Sequence, residues 1–462
     1  MKKMTRREQA FRQKHLSCVR HITLDPYGPG VVRMHLIPPR PETAEEPFLL
    51  LLNGAQLVPL NLSWAVLLSC FMDALEPFSG REIAPQDWAA LTAQAVGETR
   101  KVYPGTSRHR LSEDLALMLD SLIDIARGRE PEVEVELLSL GEYADYMTAP
   151  HRMDLMVSAM TKNGCWHCNQ KCLHCYAAGQ PYSETVELST EEWKAALARL
   201  RAANIPQVTF TGGEPTLRQD LVELVEAAQW FVTRLNTNGR LLTPQLCQKL
   251  YDASLDSVQV TLYAADAQTH NALVGVPGFE DTVQGIRNAV EAGLIVSVNT
   301  PLCSLNENYA ETLRFAHSLG VRYATCSGLI PSGDALGADS RATALSAEEL
   351  TEILRQATAT AVGLGMELDF TSPGWLEEGT LRSLGLSLIP SCGACLSNMA
   401  IAPDGTVVPC QSWLGGVTAG HILHDDWQTI WDSQICRTIR AESAKMEHIC
   451  QLRSGNKGGG AE

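Results

Sequence analysis

What this sequence lacks first is a surplus of positive charge. Its 462 residues carry 37 Lys and Arg against 53 Asp and Glu, a formal net charge of −16. A surface that coats phosphate backbones needs the opposite balance, so no nucleic-acid partner is expected. Only the first twenty residues depart from this, with seven Lys or Arg and one Glu. A membrane-spanning run is also missing. The uncharged stretch 48–72 is interrupted by Asn53, Gly54, Gln56, Pro59 and Asn61, groups that are costly in lipid. It reads instead as a strand hairpin followed by a buried helix. No apolar run follows the basic start before Pro26-Tyr27-Gly28, as a secretory signal would require. The expectation is a cytoplasmic protein with no membrane partner. No internal repeat is visible beyond the strand–helix units described below.

Cysteine, by contrast, is plentiful and clustered. Of fourteen cysteines, four lie between Cys165 and Cys175 and five between Cys392 and Cys450. A chain this long needs no disulfide staples, and clustered thiols without an export signal read as metal or iron–sulfur ligands. The other five are scattered. Cys70, Cys247 and Cys326 sit in apolar segments and read as core residues. His270 and His421 read as structural, and Trp64, Trp88 and Trp193 as core positions on helices.

The chain divides by pattern. Phe48–Leu52, the Asn53-Gly54 turn and residues 55–58 form a hairpin. Helices follow from Trp64, from Pro85 and from Ser112, the last ending near Gly128. Residues 1–128 therefore form a winged-helix-like α+β domain. Residues 129–150 make a linker, in which Glu alternates with Val or Leu over 132–137 as on an exposed strand. From Asp154 the rhythm is regular. Strands are expected at 155–160, 208–210, 231–235, 258–262, 295–299 and 323–327. Helices are expected at 217–228, 244–253, 281–292, 309–319 and 346–362, with another capped by Ser189 and Glu192. Such alternation implies a parallel sheet with right-handed crossovers. Six units make a partial (β/α)6 TIM-like barrel over 151–365, with chemistry on the loops after the strands. A further strand lies between 363 and 370. Residues 366–454 form a loop-rich cysteine domain and 455–462 a flexible tail.

Two constellations carry chemistry. Cys168-Asn-Gln-Lys-Cys172-Leu-His-Cys175 places three thiolates within eight residues. They can converge on one cubane, leaving one of four irons open, and an open position makes a metal site catalytic. A zinc knuckle with Cys165 as fourth sulfur is the alternative on spacing alone. The second strand closes on Thr211-Gly-Gly-Glu-Pro215 and the third on Asn236-Thr-Asn-Gly239. Paired glycines allow close backbone approach to a ligand, and Glu214 could receive an ammonium group.

Together the C-x3-C-x2-C loop, the Gly-Gly-Glu-Pro turn and the six strand–helix units resemble the radical S-adenosylmethionine superfamily over roughly residues 153–332. The resemblance implies that Cys168, Cys172 and Cys175 ligate a [4Fe–4S] cluster whose open iron binds the amino nitrogen and carboxylate of S-adenosylmethionine. His174 would contact the adenine. Gly212, Gly213 and Glu214 would hold the methionine amino group. Asn238, Thr261 and Asn299 are candidates for ribose or carboxylate contacts, or are ordinary strand-end polar residues. Two features depart from the pattern. Cys165 precedes the motif, as a structural thiol, a fourth resting-state ligand or a redox partner. Val274 stands near the place of a basic residue often seen after the fourth strand, which puts the carboxylate contact in doubt.

In the last ninety residues, Cys395 is followed by nine residues, Gly405, four residues and Cys410. The Asp404-Gly405 turn makes 399–402 and 406–408 a hairpin with cysteines at its base. This is similar to the SPASM or shorter twitch auxiliary-cluster extension. No further C-x2-C pair follows Cys410, so one auxiliary [4Fe–4S] cluster is expected, held by Cys392, Cys395, Cys410 and Cys450. Cys436, in a helix expected over 427–440, is the reserve ligand, and a zinc ribbon is the structural alternative.

The resemblance implies an enzyme that cleaves S-adenosylmethionine reductively to a 5′-deoxyadenosyl radical, with a flavodoxin or ferredoxin as electron donor. SPASM-type enzymes mostly modify peptides, and residues 1–128 resemble the winged-helix peptide-recognition element of ribosomal-peptide maturases, which adds a leader peptide to a sheet edge. The expected product is a thioether, a carbon–carbon crosslink or an epimerised residue. The alternatives are an enzyme of cofactor biosynthesis acting on a small or carrier-bound precursor, and a sulfatase-maturase-like protein oxidase.

Overall fold

The computed structural model describes residues 4–24, 32–39, 47–53, 56–78, 83–127, 129–138, 142, 147–386, 388–445 and 449–453. Pro26-Tyr27-Gly28, Gly54 and Ala55 of the tight turn, Gly128 and the tail after 453 lie outside the described residues. The chain falls into two units, Met1–Thr148 and Ala149–Glu462.

The first unit opens on α1 (Arg6–His15), which the sequence reading missed although Thr5 and Glu8 form a reciprocal capping box. Strands β1 (Arg20–Leu24), β2 (Val32–Ile37), β3 (Phe48–Leu52) and β4 (Gln56–Leu60) follow as an antiparallel meander. Helices α2 (Leu62–Leu75), α3 (Pro85–Val102) and α4 (Arg108–Ala126) complete the unit. The stretch 48–72 is thus a hairpin and a buried helix, with Leu50, Val58, Phe71 and Leu115 in one core. Two expectations are corrected. Helix α4 opens at Arg108, a turn before Ser112, because Ser107 accepts from the Arg110 amide at 3.1 Å. Residues 132–137 form no strand; the adjoining Leu138 amide reaches β4 at the Leu57 carbonyl, 2.9 Å away. Trp88 is also no core residue, being 37% exposed and stacked on Phe71 at 6.2 Å.

The second unit is built on β5 (Arg152–Ser158), then a two-residue ribbon of β6 (Thr161–Lys162) and β7 (Cys165–Trp166). Alternating elements follow: α5 (Thr190–Ala202), β8 (Gln207–Gly212), α6 (Leu221–Ala227), β9 (Val232–Thr237), α7 (Pro244–Asp252) and β10 (Ser257–Thr261). Next come α8 (Ala267–Val274), α9 (Phe279–Glu291), β11 (Ile295–Pro301), α10 (Tyr309–Ser318), β12 (Tyr323–Ser327), α11 (Ala338–Arg341), α12 (Ala347–Leu364), β13 (Glu367–Phe370) and α13 (Glu378–Ser383). The C-terminal part holds β14 (Asn398–Ile401), β15 (Thr406–Val408), β16 (Gly420–His421), α14 (Trp427–Trp431) and α15 (Gln434–Lys445).

The strands run β13-β12-β11-β10-β9-β8-β5 in one sheet, parallel throughout. The six expected units and the further strand are present, and the sheet stays open, with β13 and β16 as its edges. The Ser189–Glu192 capping box forms as expected. The expected 217–228 helix is shorter, because Pro215–Leu217 is a 3-10 turn and α6 starts only at Leu221. Helix α8 was missed, and the 427–440 helix is two, α14 and α15. The cysteine domain is also no appendage. Its hairpin joins the barrel sheet, β14 pairing parallel with β5 from Asn398 opposite Arg152 to Ile401 opposite Leu155.

Side chains alternate strictly along these strands. Val208 and Phe210, Val258 and Val260, Val296 and Val298, Ala324 and Cys326 are buried on the outer, helix-covered face. The positions between them line a cavity and are polar: Thr209, Thr211, Arg234, Asn236, Gln259, Thr261, Asn299 and Thr325. A closed barrel fills this space with branched apolar layers; here it is left open to a ligand.

Candidate active site

The first cysteine loop follows β7. It is tied down by main-chain bonds to the end of α8: the Lys171 amide donates to the Val274 carbonyl and the Leu173 amide to that of Leu273, both at 2.9 Å. Gly275 (φ +70°) caps that helix in the left-handed region, and a Cβ there would stand 2.4 Å from the Lys171 carbonyl oxygen. Val274 is wholly buried with Leu273, Tyr263 and Cys303, against Cys172. It is a packing residue and offers no carboxylate contact. The Cys168 thiol donates to the Gly213 carbonyl at 3.3 Å, and that of Cys172 to Gln170 Oε1 at 3.5 Å. Burial pushes the Cys168 thiol up to about 12 and holds those of Cys172 and Cys175 above their ordinary value. Without a metal to take the charge, these are neutral thiols.

The Gly-Gly-Glu-Pro turn sits beside this loop. Its glycines are demanded by β5: a Cβ on Gly212 (φ +140°) would lie 2.2 Å from the Ser158 carbonyl oxygen, and one on Gly213 2.8 Å from that of Ala159. What the glycines approach closely is therefore protein backbone, and that packing brings the Gly213 carbonyl to Cys168. Glu214 is buried and held by four donors. Its Oε1 accepts from the Thr216 amide at 3.0 Å, the Thr216 hydroxyl at 2.5 Å and the Thr237 hydroxyl at 2.6 Å; its Oε2 accepts from the Asn238 amide at 2.8 Å. Burial raises its pKa against the pull of these bonds. Asn238 reaches on to Asn169 Oδ1 at 2.5 Å, so the end of β9 is stitched to the cysteine loop. His174 pairs through Nε2 with the Thr343 hydroxyl at 2.8 Å. Asn299 Oδ1 accepts from the Thr325 hydroxyl at 2.9 Å, and Thr325 in turn accepts from Gln259 at 3.2 Å. Thr261 lines the cavity beside them.

The second cysteine group assembles from four segments. Cys392 and Cys395 precede β14, Cys410 follows β15, Cys436 is on α15, and Cys450 lies near the described end. Burial, with Cys392 and Cys450 as neighbours, pushes the Cys410 thiol up to about 12. The Cys395 thiol is raised chiefly by its hydrogen bond to Cys436, whose own pKa is lowered by that bond and by Arg440. Arg440 donates to Cys436 Sγ at 3.5 Å. Ser443 donates to the Ala394 carbonyl at 2.7 Å and stands 3.7 Å from Cys392 Sγ. Cys392 and Cys450 thus neighbour Cys410, and Cys410 and Cys436 neighbour Cys395, so the reserve position Cys436 is linked to the expected ligands. Cys165 stands apart, exposed on β7.

One cavity of about 440 Å³ is lined by Cys168, Cys172 and Cys175 and also by Cys392, Cys410 and Cys450. Its wall carries buried polar atoms with no partner among the described residues: Gln170 Nε2, His174 Nδ1, Asn236 Oδ1 and Gln411 Oε1. Such atoms are costly unless a ligand or water meets them. Three thiols, a glycine carbonyl and unpaired ring and amide atoms suit a cluster with one open iron and a polar, purine-bearing ligand. The sequence reading missed Arg152, Asp154, Thr209, Arg234, Asn236, Gln259 and Thr325, all on the cavity wall. The signal was there: a parallel strand covered on both faces reads as a continuous apolar run, and these strands alternate. Outside this site, His270 accepts from the Tyr263 amide at 3.3 Å, and His421 Nε2 lies 2.8 Å from the Asp404 carbonyl. Cys70, Cys247 and Cys326 are buried.

Residues 167–319 match the Radical SAM superfamily and residues 392–452 match SPASM, an iron–sulfur cluster-binding domain. Such domains carry a [4Fe–4S] cluster with S-adenosylmethionine and auxiliary iron–sulfur clusters, respectively. An AdoMet-dependent heme synthase of Oleidesulfovibrio alaskensis is 32% identical over 191 residues, 40% of this chain and 49% of that protein. One of Methanosarcina barkeri is 28% identical over 59% of this chain and 82% of that protein. A probable GTP 3′,8-cyclase of Saccharolobus islandicus is 33% identical over 36% of this chain and 55% of that protein. The chain thus matches only about half the length of the first and third. Among solved structures, Streptococcus suis SuiB bound to precursor peptide SuiA superposes with a TM-score of 0.59 at 14% identity, over 88% of this chain and 93% of that one. Among the described residues, no helix is long and apolar enough to cross a membrane.

Proposed function

We propose that this radical S-adenosylmethionine enzyme with a SPASM domain modifies a ribosomally made peptide. The observation that carries this reading is the joining of both cysteine groups to one open, polar-walled cavity. A peptide residue placed there meets the first group at one side and the second at the other. Fold likeness to SuiB across 88% of the chain, with a four-stranded antiparallel sheet in the first unit, supports a leader peptide added to that sheet.

In this reading Cys168, Cys172 and Cys175 hold the radical cluster, and Cys392, Cys395, Cys410 and Cys450 hold one auxiliary cluster. Bound in the first site, the cluster and S-adenosylmethionine supply a 5′-deoxyadenosyl radical for hydrogen abstraction from an unactivated C–H bond. The chain orients and shields that chemistry. His174 Nδ1 meets the adenine. The Gly213 carbonyl and Glu214 Oε2 receive the methionine ammonium. Asn238, Thr261 and Asn299 position ribose or carboxylate. A flavodoxin or ferredoxin in the cytoplasm supplies the electron.

The names of the sequence relatives favour a second reading, a small or carrier-bound precursor in cofactor biosynthesis. One experiment separates them. The anaerobically reconstituted enzyme is given a candidate precursor peptide, a tetrapyrrole or GTP, and 5′-deoxyadenosine and product are measured by mass spectrometry. Peptide-dependent turnover, lost when residues 1–128 are removed, supports the first reading; turnover of a small substrate alone overturns it.

A further inference from the structure

The floor of the cavity carries charge that none of the proposed cofactor contacts uses. Asp154 on β5, Thr209 on β8 and Arg234 on β9 lie in one register row across three neighbouring strands, and Arg152 precedes Asp154 by one alternation on the same face. All four line the cavity. Asp154 is 1% exposed, and Arg152 Nε stands 3.0 Å from its Oδ1. Arg234 has no hydrogen bond or ion pair among the described residues. Its side chain is exposed to the cavity, and the protein packed around it, with Arg152 beside it, lowers its pKa from the ordinary value. Asp154 is spent on Arg152, so one positive charge is left unneutralised. A guanidinium that is exposed to the cavity and unpaired is free to receive an anion, and its fork fits a planar oxyanion in two-point contact.

The position is also informative. Arg234 lies four residues before Asn238 on β9, roughly 13 Å below the strand ends at the strand rise. The cation therefore faces a part of the ligand remote from the cysteine loop. From these placements we propose that Arg234, with Arg152 behind it, forms a carboxylate-binding subsite for the substrate at the floor of the cavity. One spare positive charge matches a monoanion, which favours a carboxylate over a phosphate dianion. The carboxylate can come from an acidic peptide residue or from a small organic acid. The inference rests on the cavity being the active site.

The test uses the reconstituted, S-adenosylmethionine-loaded enzyme and saturation-transfer NMR, which reads weak binding. The probes are butyrate, neutral butyramide, inorganic phosphate and a short Glu-containing peptide beside its Gln counterpart. Wild type should bind butyrate over butyramide and over phosphate. Arg234→Gln should weaken butyrate binding at least tenfold, with Arg234→Lys between the two. Asp154→Asn, which removes the competing carboxylate, should tighten it severalfold. These opposite signs separate a charge effect from general loss of structure, which would weaken both variants. Equal binding by wild type and Arg234→Gln, or preference for phosphate, overturns the subsite. The Glu-over-Gln peptide preference assigns the carboxylate to a peptide; its absence beside firm butyrate binding assigns it to a small acid. S-adenosylmethionine cleavage by the same wild-type sample keeps the two readings apart. Cleavage without anion binding sinks the subsite alone, and no cleavage at all sinks the active-site reading.

Discussion

The two cysteine groups reach the same cavity by opposite routes. The first is local: three thiols within eight residues, on a loop whose shape is fixed by main-chain bonds to the end of α8. The second is global: five thiols from four segments, brought together by the β14–β15 hairpin and α15, and braced by side chains such as Arg440 and Ser443. A local group offers three ligands and an open position. A group drawn from the whole C-terminal fold can close its coordination and hold more rigidly. The difference fits a reactive centre beside a structural or electron-accepting one.

The comparison breaks most sharply at the local group. Cys172→Ala should remove S-adenosylmethionine cleavage altogether and lower iron by about four per chain, read by 5′-deoxyadenosine yield and iron analysis; residual full activity would remove the assignment. At the second group, Cys410→Ala should also lower iron by about four, with loss of product. Comparing Cys436→Ser with Cys450→Ser then identifies the fourth ligand. The true ligand's variant loses the auxiliary cluster's electron paramagnetic resonance signal, and the other keeps it.

The same contrast explains what could be read from the sequence. Short spacing is visible without a fold, so Cys168, Cys172 and Cys175 and the 211–215 turn stood out. Their neighbourhood did not. Nothing local says that Gly212 packs on Ser158, or that Asn236 Oδ1 lines the cavity with no partner among the described residues. The strand–helix alternation was legible because each unit repeats a short pattern. The pairing of β14 with β5 was not, because a parallel partnership about 240 residues distant leaves no local trace. Helix α8 was missed because at eight residues its apolar period barely completes two turns. Residues 132–137 misled in the opposite sense: alternation alone does not make a strand where no neighbouring strand completes a ladder.

Main-chain bracing makes the first group sensitive to backbone changes. Gly275→Ala places a Cβ 2.4 Å from the Lys171 carbonyl oxygen at φ +70°. It should cost more than about 3 kcal/mol and release iron from the first group before the second during denaturant titration. Acid should act on the same brace. His270, on α8, is buried, and burial lowers its pKa to about 4 from 6.5. The folded state keeps it neutral, so its contribution to stability is complete above pH 6.5. That contribution is lost as pH falls toward 4, where the unfolded chain binds a proton that the folded chain refuses. The loss is on the order of 3 kcal/mol. His270→Gln should flatten this part of the pH–stability curve.

The smallest effect is expected at a side-chain brace of the second group, whose backbone is also held by the Cys395 amide donating to the Pro409 carbonyl at 3.1 Å. The Ser443 hydroxyl donates to the Ala394 carbonyl at 2.7 Å and accepts from Gln451 at 2.7 Å, in a wholly buried position. Ser443→Ala removes one hydroxyl, leaving the Gln451 amide with its bond to the Ile439 carbonyl at 3.0 Å. One bond that seats residues 392–395 against α15 and one that ties Gln451 to that helix disappear, but no backbone has to move. The cost should be about 1 kcal/mol, a small shift in melting temperature with full iron content. If so, the second group is held redundantly, by sheet pairing and helix packing together. If Ser443→Ala instead empties the second group, side-chain bracing is as decisive there as the α8 main chain is for the first, and the contrast between a local and a global route disappears.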